Sequence, residues 1–221
     1  MIKKNNKNEK KNLAQEAYNA IRLKIFNNGI KPGQLISESL IAEELGISRT
    51  PVREAIRMLA IEGVVESRDG IGTIVKMFSF KEIKDIFEVR KALEIIAVKT
   101  SINNVSELEV SELLNKYSDI SVRFEAGIAE EREFTEIDMK VHNLIITRCD
   151  NDYVKGLYNS IGLKIKLYQY VSYLNFRSSA ESISQHMEIL RLIKNKELEK
   201  LIIALNEHID WSLKWYLEAL M

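Results

Sequence analysis

Three histidines and one aspartate are the side chains of this sequence whose types and spacing best suit metal chemistry. Asp138 and His142 lie four residues apart in a predicted helix, so their side chains project from one face with Cβ atoms about 6 Å apart. His186 and His208 lie on two later predicted helices, and the chain has no other histidine. A single histidine in a helix is usually an ordinary core or surface residue. Three histidines and an aspartate one turn from the first indicate instead a candidate ion-binding site.

A second chemical pattern lies in the first quarter of the chain, where arginines recur on one face of a predicted helix. Arg49 and Arg53 are four residues apart, and Ser48 and Thr50 stand at the predicted start of the same helix. A guanidinium can donate two hydrogen bonds to O6 and N7 of guanine, and a helix N-terminus can hold a phosphate. The alternative for each arginine is a solvent-exposed ion pair with a neighbouring glutamate such as Glu54. The segment is a candidate for DNA recognition.

The hydrophobic pattern around these arginines predicts three helices and a β-hairpin. Apolar residues at helical spacing predict helices that begin near residues 13, 37 and 48, with Ser37 and Ser48 as N-caps. Strand-like runs at residues 64–67 and 72–75, separated by a turn at Asp69-Gly70, predict the hairpin. Three helices followed by a hairpin form the plan of a winged helix-turn-helix.

After residue 80 the pattern changes to long amphipathic helices without proline. Six helices are predicted there, at roughly residues 81–103, 105–126, 129–149, 152–175, 178–194 and 196–220. This pattern predicts an antiparallel six-helix bundle. The fold class is therefore mainly α, with an N-terminal winged helix-turn-helix and a C-terminal bundle.

The sequence divides into four predicted parts. Residues 1–12 are rich in lysine and asparagine and are predicted to be a disordered basic arm. A winged helix-turn-helix DNA-binding domain follows at residues 13–76, a linker at residues 77–80, and the helical domain at residues 81–221. The first 79 residues carry four more basic than acidic side chains, although the whole chain has 32 of each. This asymmetry favours a polyanionic partner for the first domain.

Composition limits the cellular compartments in which we expect this protein. The longest apolar run, at residues 201–205, is far shorter than the roughly 20 residues that a membrane span requires. The basic N-terminus is not followed by an apolar stretch, which excludes a signal peptide. The chain has one cysteine, Cys149, so an internal disulfide is excluded, as expected in a reducing compartment. We therefore expect a soluble cytoplasmic protein without a membrane partner.

The first domain resembles the DNA-binding domain of the GntR family of bacterial transcriptional regulators. The resemblance covers residues 13–76 and is strongest in KPGQLISESLIAEELGISRTPVREAIRMLAIEGVV and RDGIGTIV. It implies that four residues contact double-stranded operator DNA from the recognition helix: Ser48, Arg49, Thr50 and Arg53. It also implies that the wing tip near Gly70 approaches the minor groove. Ser39 stands where some members carry a DNA-reading arginine, so the operator is expected to differ from theirs.

The second domain resembles the FCD-type ligand-binding domain of the FadR branch of these regulators, and its six helices suggest the shorter, VanR-like variant. Many members bind a divalent metal through one aspartate and three histidines. The resemblance assigns these ligands to Asp138, His142, His186 and His208. Such a donor set suits Zn²⁺ or Ni²⁺ best, with Mn, Fe and Co as further candidates, and it leaves positions open for water or a ligand carboxylate.

Arg90 is the candidate effector-binding residue. It lies in EVRKALE at residues 88–94, which resembles the opening helix of the family's ligand-binding domain. The resemblance implies that Arg90 binds the carboxylate of a small effector. The alternative is a surface arginine that pairs with Glu94, four residues further along the same helix.

These patterns together predict a homodimeric, ligand-responsive repressor that is not an enzyme. A small carboxylate bound in the bundle would change the affinity of the dimer for its operator. A metal-dependent hydrolase could use the same Asp/His₃ set, but the sequence lacks an HExxH motif and a glycine-rich phosphate loop. A DNA-binding protein that needs no ligand is the other alternative, and it leaves the four metal-type donors unexplained.

Overall fold

The computed structural model describes residues 2–26, 29–129, 131–173 and 179–219. The chain forms two compact units that divide between Ser79 and Phe80, inside the linker predicted at residues 77–80. The described residues form nine helices and one two-stranded sheet. This architecture confirms the predicted fold class of a winged helix-turn-helix and a helical bundle.

The first unit contains three helices and a hairpin. In chain order these are α1 (Ile2–Phe26), α2 (Glu38–Leu45), α3 (Arg49–Ile61), β1 (Val65–Arg68) and β2 (Gly72–Val75). Helix α1 packs along α3, and α2 packs on both. The buried apolar side chains come from every element and include Ile21, Ile41, Val52, Leu59 and Val75. Burial of these apolar side chains stabilises the packing of the three helices and the hairpin.

Helix α1 begins earlier than the sequence predicted. We expected a disordered arm over residues 1–12, but the helix runs from Ile2. Residues 2–12 contain no proline or glycine, and lysine and glutamate are favourable helix residues. Because the amphipathic segment after Leu13 already forms a helix, each added turn extends it without a new nucleation step. The composition of the arm therefore does not prevent helix formation.

The caps of α2 follow the prediction, but the cap of α3 does not. The Ser37 hydroxyl accepts a hydrogen bond from the Leu40 N–H, and Gly46 ends α2 in the left-handed conformation, with φ of 64°. Ser48 occupies the N-cap position of α3 with extended backbone. Its hydroxyl makes no capping hydrogen bond there, so the predicted side-chain cap is wrong.

The wing hairpin differs from the sequence prediction by one residue in its first strand. β1 spans Val65–Arg68 instead of the predicted residues 64–67, and Arg68 pairs with Gly72, so residues 69–71 form the loop and include the predicted Asp69-Gly70 turn. Gly70 adopts a positive φ of 74° at the tip, where a side chain would strain the backbone. Residues 33–36 also pair with β2 through an isolated bridge between Leu35 and Ile74. A bridge of one residue pair is too short to leave a periodic signal in the sequence.

The second unit is a bundle of six helices. These are α4 (Phe80–Asn104), α5 (Glu107–Glu125), α6 (Glu131–Arg148), α7 (Asp152–Tyr173), α8 (Ser179–Lys194) and α9 (Leu198–Ala219). Helix α4 packs against α6, α7 and α9, and α8 packs against α5 and α9. Because α4 contacts three other helices, its side chains reach the interior between α6 and α9. None of the helices in the described ranges is both long and apolar enough to span a bilayer.

Candidate metal centre and DNA-binding surface

The four predicted metal ligands meet in the interior of the bundle. Helix α6 supplies Asp138 and His142, α8 supplies His186, and α9 supplies His208. One donor atom from each residue lies within 4.8 Å of the others, and all four residues are buried. The Nε2 atom of His142 lies 3.2 Å from that of His186 and 3.3 Å from that of His208. Three imidazoles therefore turn the same nitrogen toward one point.

The other ring nitrogen of each histidine faces an oxygen acceptor. Nδ1 of His142 lies 2.6 Å from Oε2 of Glu94, and Nδ1 of His208 lies 2.7 Å from Oε1 of Gln185. Nδ1 of His186 lies 2.8 Å from the main-chain oxygen of Ser182. An acceptor at Nδ1 favours the tautomer with its proton on that atom, which leaves the Nε2 lone pair for a metal. The donor set and its outer contacts thus fit a divalent ion.

Burial favours the neutral form of two of the imidazoles, those of His186 and His208, and the neutral form is the one that binds a metal. Burial lowers the pKa of His186 to about 4, against a smaller opposing effect of Asp138. It also holds the pKa of His208 well below the ordinary value, and the neighbouring histidines add to this effect. At neutral pH these rings carry no proton that a metal would have to displace.

Arg90 is buried, which differs from the surface position of the alternative interpretation. Its side chain is 1% exposed, and its Nε donates to Oε1 of Glu94 at 2.8 Å. The ion pair considered in the sequence is therefore formed, but inside the bundle. The Nη2 atom of Arg90 is buried without a hydrogen-bond partner among the described residues. A buried N–H without an acceptor is costly, so this atom is suited to an anionic ligand.

Glu94 joins the arginine to the histidine cluster. One carboxylate oxygen accepts from Arg90 and from the Tyr158 hydroxyl, and the other lies against His142. Burial opposes ionisation of Glu94, but the adjacent His142 and Arg90 outweigh it and lower its pKa to about 2. Glu94 is thus a buried carboxylate that contacts Arg90 through one oxygen and His142 through the other.

Sequence reasoning missed the outer contacts of the histidines. Glu94 was noticed only as an ion-pair partner of Arg90, and its position one helical turn away was the available signal. Gln185 precedes His186 by one residue and contacts His208 instead, so linear spacing does not reveal its partner. Ser182 contacts Nδ1 of His186 through its main-chain oxygen at 2.8 Å, for which residue type carries no information, and its hydroxyl lies 3.3 Å from the same atom.

Helix α3, the predicted recognition helix, presents its polar residues to solvent. The side chains of Ser48, Arg49, Thr50 and Arg53 are all exposed at the start of α3, while Val52 and Ala55 face the core. Arg53 donates from Nε to Oε2 of Glu38, on α2, at 2.7 Å. At the tip of the wing, Gly70 is exposed as well. The structure thus places the predicted contacts on the accessible surface of the first unit.

A winged helix-turn-helix with exposed arginines, followed by a bundle with a buried donor cluster, defines a DNA-binding regulator. Comparison with protein families agrees. The profile of the FCD domain matches residues 85–210, and that of the gntR family of bacterial regulatory proteins matches residues 13–75. The chain belongs to the GntR family of transcriptional regulators and carries an FCD domain.

Known proteins are similar to this chain over most of its length. The HTH-type transcriptional regulator YdhC of Bacillus subtilis is 27% identical, with 87% of this chain and 84% of the relative aligned. The gluconate operon transcriptional repressor of the same species is 25% identical, with 86% and 79% aligned. A GntR regulator from Rhodococcus sp. RHA1 shares the fold, with a TM-score of 0.80, 18% identity and coverage of 93% and 97%. These proteins are transcriptional regulators, so the hydrolase alternative is not favoured.

Proposed function

We propose that this chain is a cytoplasmic, homodimeric repressor whose bundle binds a divalent metal and a small carboxylate effector. The effector changes the affinity of the dimer for its operator. The observation that carries the proposal is the buried network of Arg90, Glu94 and His142. It connects the histidine cluster to a guanidinium whose Nη2 atom has no hydrogen-bond partner among the described residues.

The metal would be held by Asp138, His142, His186 and His208. A bound Zn²⁺ or Ni²⁺ supplies a positive charge and open coordination positions for an anionic oxygen. The chain's own part is to orient the ligands through the acceptors at each Nδ1. The four residues are buried, and charge interactions are stronger in a buried environment than in water.

Arg90 would neutralise the effector carboxylate. Its Nη2 atom has no protein acceptor in the described structure, while Glu94 holds the Nε side of the same guanidinium in place. A carboxylate brought into this interior without a partner would be costly to desolvate. A charge-assisted hydrogen bond from Arg90 offsets that cost and fixes the orientation of the ligand. The name of the gluconate operon repressor, a relative of this chain, is in keeping with a small acid as the controlling molecule.

DNA would be read by α3 and the wing of each protomer. Ser48 and Thr50 lie where hydroxyls and helix N–H groups can hold a phosphate, Arg49 and Arg53 can reach base edges, and Gly70 lies at the wing tip. A two-fold dimer places two such helices on half-sites about 34 Å apart. An effector that binds one domain arrangement more tightly changes DNA affinity by the same differential free energy.

Self-association is supported by exposed apolar side chains on α4 and α7. Val89 and Ile96 on α4, and Tyr153 and Leu157 on α7, are each at least 45% exposed. Because α4 and α7 pack against each other, these side chains can contribute to one apolar surface. A second copy of this chain that covers the surface would remove it from water.

Replacing Glu94 with glutamine is expected to weaken metal binding about 10- to 100-fold, the usual effect of removing an outer-shell carboxylate. The glutamine side chain keeps the size of the original but cannot provide a negative charge to His142 and Arg90. The dissociation constant for Zn²⁺, measured by competition with a chelator, tests this. Glu109→Gln is the matched control, because it removes a carboxylate that pairs with Arg148 elsewhere in the bundle. Equal affinities in wild type and Glu94→Gln would contradict the role of Glu94.

The effector proposal is tested with Arg90→Lys and a panel of small carboxylic acids that includes gluconate. We expect an acid that raises the melting temperature and lowers operator affinity of the wild type to bind this variant about 10- to 100-fold more weakly, since a charged hydrogen bond is lost. Lysine keeps a cation beside Glu94 but lacks the planar guanidinium. Lys91→Ala, which removes a cation paired with Asp210 on the bundle surface, should retain the full response. An unchanged response in Arg90→Lys would remove Arg90 from the effector site.

A further inference from the structure

The contact between Glu38 and Arg53 joins the first turn of α2 to the recognition helix. Nε of Arg53 donates to Oε2 of Glu38 at 2.7 Å, although the two residues are fifteen positions apart in the sequence. Both ends have fixed backbone. The Ser37 hydroxyl caps the turn that begins with Glu38, and the fully buried Val52 and Ala55 hold α3 on either side of Arg53. The pair therefore restricts the Arg53 side chain from a rigid support.

The contact with Glu38 leaves enough N–H donors on the Arg53 guanidinium to bind a base. A guanidinium has five N–H donors, and the hydrogen bond to Glu38 uses the one on Nε. The two Nη atoms carry the other four, enough for a two-pronged contact with guanine O6 and N7. The side chain of Arg53 remains 58% exposed while it is held. Glu38 thus limits the rotamers of Arg53 without covering it.

We propose that Glu38 is a positioning residue that holds Arg53 in the conformation in which it reads DNA. This inference rests on the proposed role of α3 in operator recognition. A long arginine side chain loses conformational freedom when it binds a base, and a partner that orders it beforehand reduces that loss. The advantage applies to duplexes in which Arg53 meets its base, and it is absent from duplexes in which Arg53 contacts phosphates alone. Glu38 accordingly raises specificity and not general affinity.

Simple electrostatics makes a different prediction for the same carboxylate. A negative charge near the DNA surface repels phosphates regardless of base sequence. If Glu38 acted only through its charge, its removal would raise the affinity for every duplex by the same factor. The ratio of specific to non-specific affinity would then stay constant. This ratio separates positioning from repulsion.

The experiment uses a duplex that the full-length wild-type protein selects from a random pool, and a scrambled duplex of equal length and composition. Both dissociation constants are measured at one salt concentration for the wild type, Glu38→Ala, Glu38→Gln and Arg53→Ala, and for the double variant of Glu38→Ala with Arg53→Ala. We expect Glu38→Ala to lower the specificity ratio about two- to tenfold, the effect of freeing one long side chain. Glu38→Gln retains an acceptor oxygen for Nε and should lose less. In the Arg53→Ala background, Glu38→Ala should change the ratio no further.

Glu44→Ala is the matched control. Glu44 is an ion-paired glutamate on the same helix, but its partner is Lys24 on α1, at 2.8 Å. Its removal should change both affinities alike and leave the ratio within about twofold. Thermal unfolding of each variant checks that the fold is retained, which is expected because exposed ion pairs add little stability.

Three outcomes would overturn the proposal, and they are of two kinds. An unchanged ratio in Glu38→Ala, or an effect that persists in the Arg53→Ala background, shows that Glu38 does not act through Arg53 even though α3 reads DNA. Full specificity in Arg53→Ala itself would show that Arg53 reads no base, which also contradicts the proposed DNA-binding surface.

Discussion

Replacing His142 with alanine is expected to abolish the stabilisation that a divalent ion gives to this chain. The Nε2 atom of His142 lies 3.2 Å from that of His186 and 3.3 Å from that of His208. At a Zn²⁺ concentration 1,000 times the dissociation constant, a bound ion adds about 4 kcal/mol to the free energy of unfolding. With one ligand lost, we expect less than about 1 kcal/mol of this stabilisation to remain at the same metal concentration. Thermal unfolding with and without Zn²⁺ or Ni²⁺ measures the difference.

The quantity to compare is the rise in melting temperature that metal causes. Removing any buried side chain from α6 lowers stability through the cavity it leaves, so the melting temperature alone is not sufficient. Ile145→Ala is the matched control for this effect, since Ile145 is fully buried on the same helix and offers no donor atom. It should lower the melting temperature with and without metal but keep the rise that metal causes. A wild-type protein whose melting temperature does not respond to Zn²⁺ or Ni²⁺ would contradict the metal site.

The double replacement of Arg49 and Arg53 by alanine is expected to remove most sequence-specific DNA binding. Each good two-pronged contact with guanine is worth about 1–3 kcal/mol of discrimination. Losing two of them lowers the preference for the selected duplex over a scrambled one by about 30-fold to 10⁴-fold. The measurement is a pair of binding titrations at fixed salt, because phosphate contacts depend strongly on ionic strength.

The fold should survive this double replacement, because both side chains are exposed on α3 and the buried face of the helix is unchanged. Arg191→Ala serves as control, since it removes an exposed arginine from α8 of the second unit. It should bind both duplexes as the wild type does. If the double variant retained the wild-type preference for the selected duplex, α3 would not be the recognition helix.

Much of the fold could be read from local patterns. The spacing of Val52, Ala55 and Leu59 predicts the buried face of α3, and the capping serine and the glycine after α2 mark its ends. Such signals arise within one or two helical turns, so one sequence is enough to show them. Three details differ from the local patterns. The start of α1 depends on a helix that is already formed, and the bounds of the wing loop depend on pairing between strands. The Ser48 hydroxyl makes no capping hydrogen bond, although serine is favoured at that position.

The ligand types were also readable, because only imidazole, carboxylate and thiolate side chains serve as strong protein ligands and the chain has three histidines. The sequence alone could not show that their donor atoms converge. That result requires α6, α8 and α9 to pack with the correct rotation about their axes, which depends on contacts across the whole bundle.

The contacts that Arg90 and Arg53 make were determined only by tertiary packing. The sequence offered Arg90 as an effector-binding residue or as a surface ion pair with Glu94, but the folded bundle buries the pair and connects it to His142. In the first unit, the partner of Arg53 is Glu38 on another helix, not a neighbour on its own helix. Helical periodicity assigns a residue to the inner or outer face of its own helix. Which side chain it meets there depends on the packing of a different helix, and spacing along one chain carries no record of that partner.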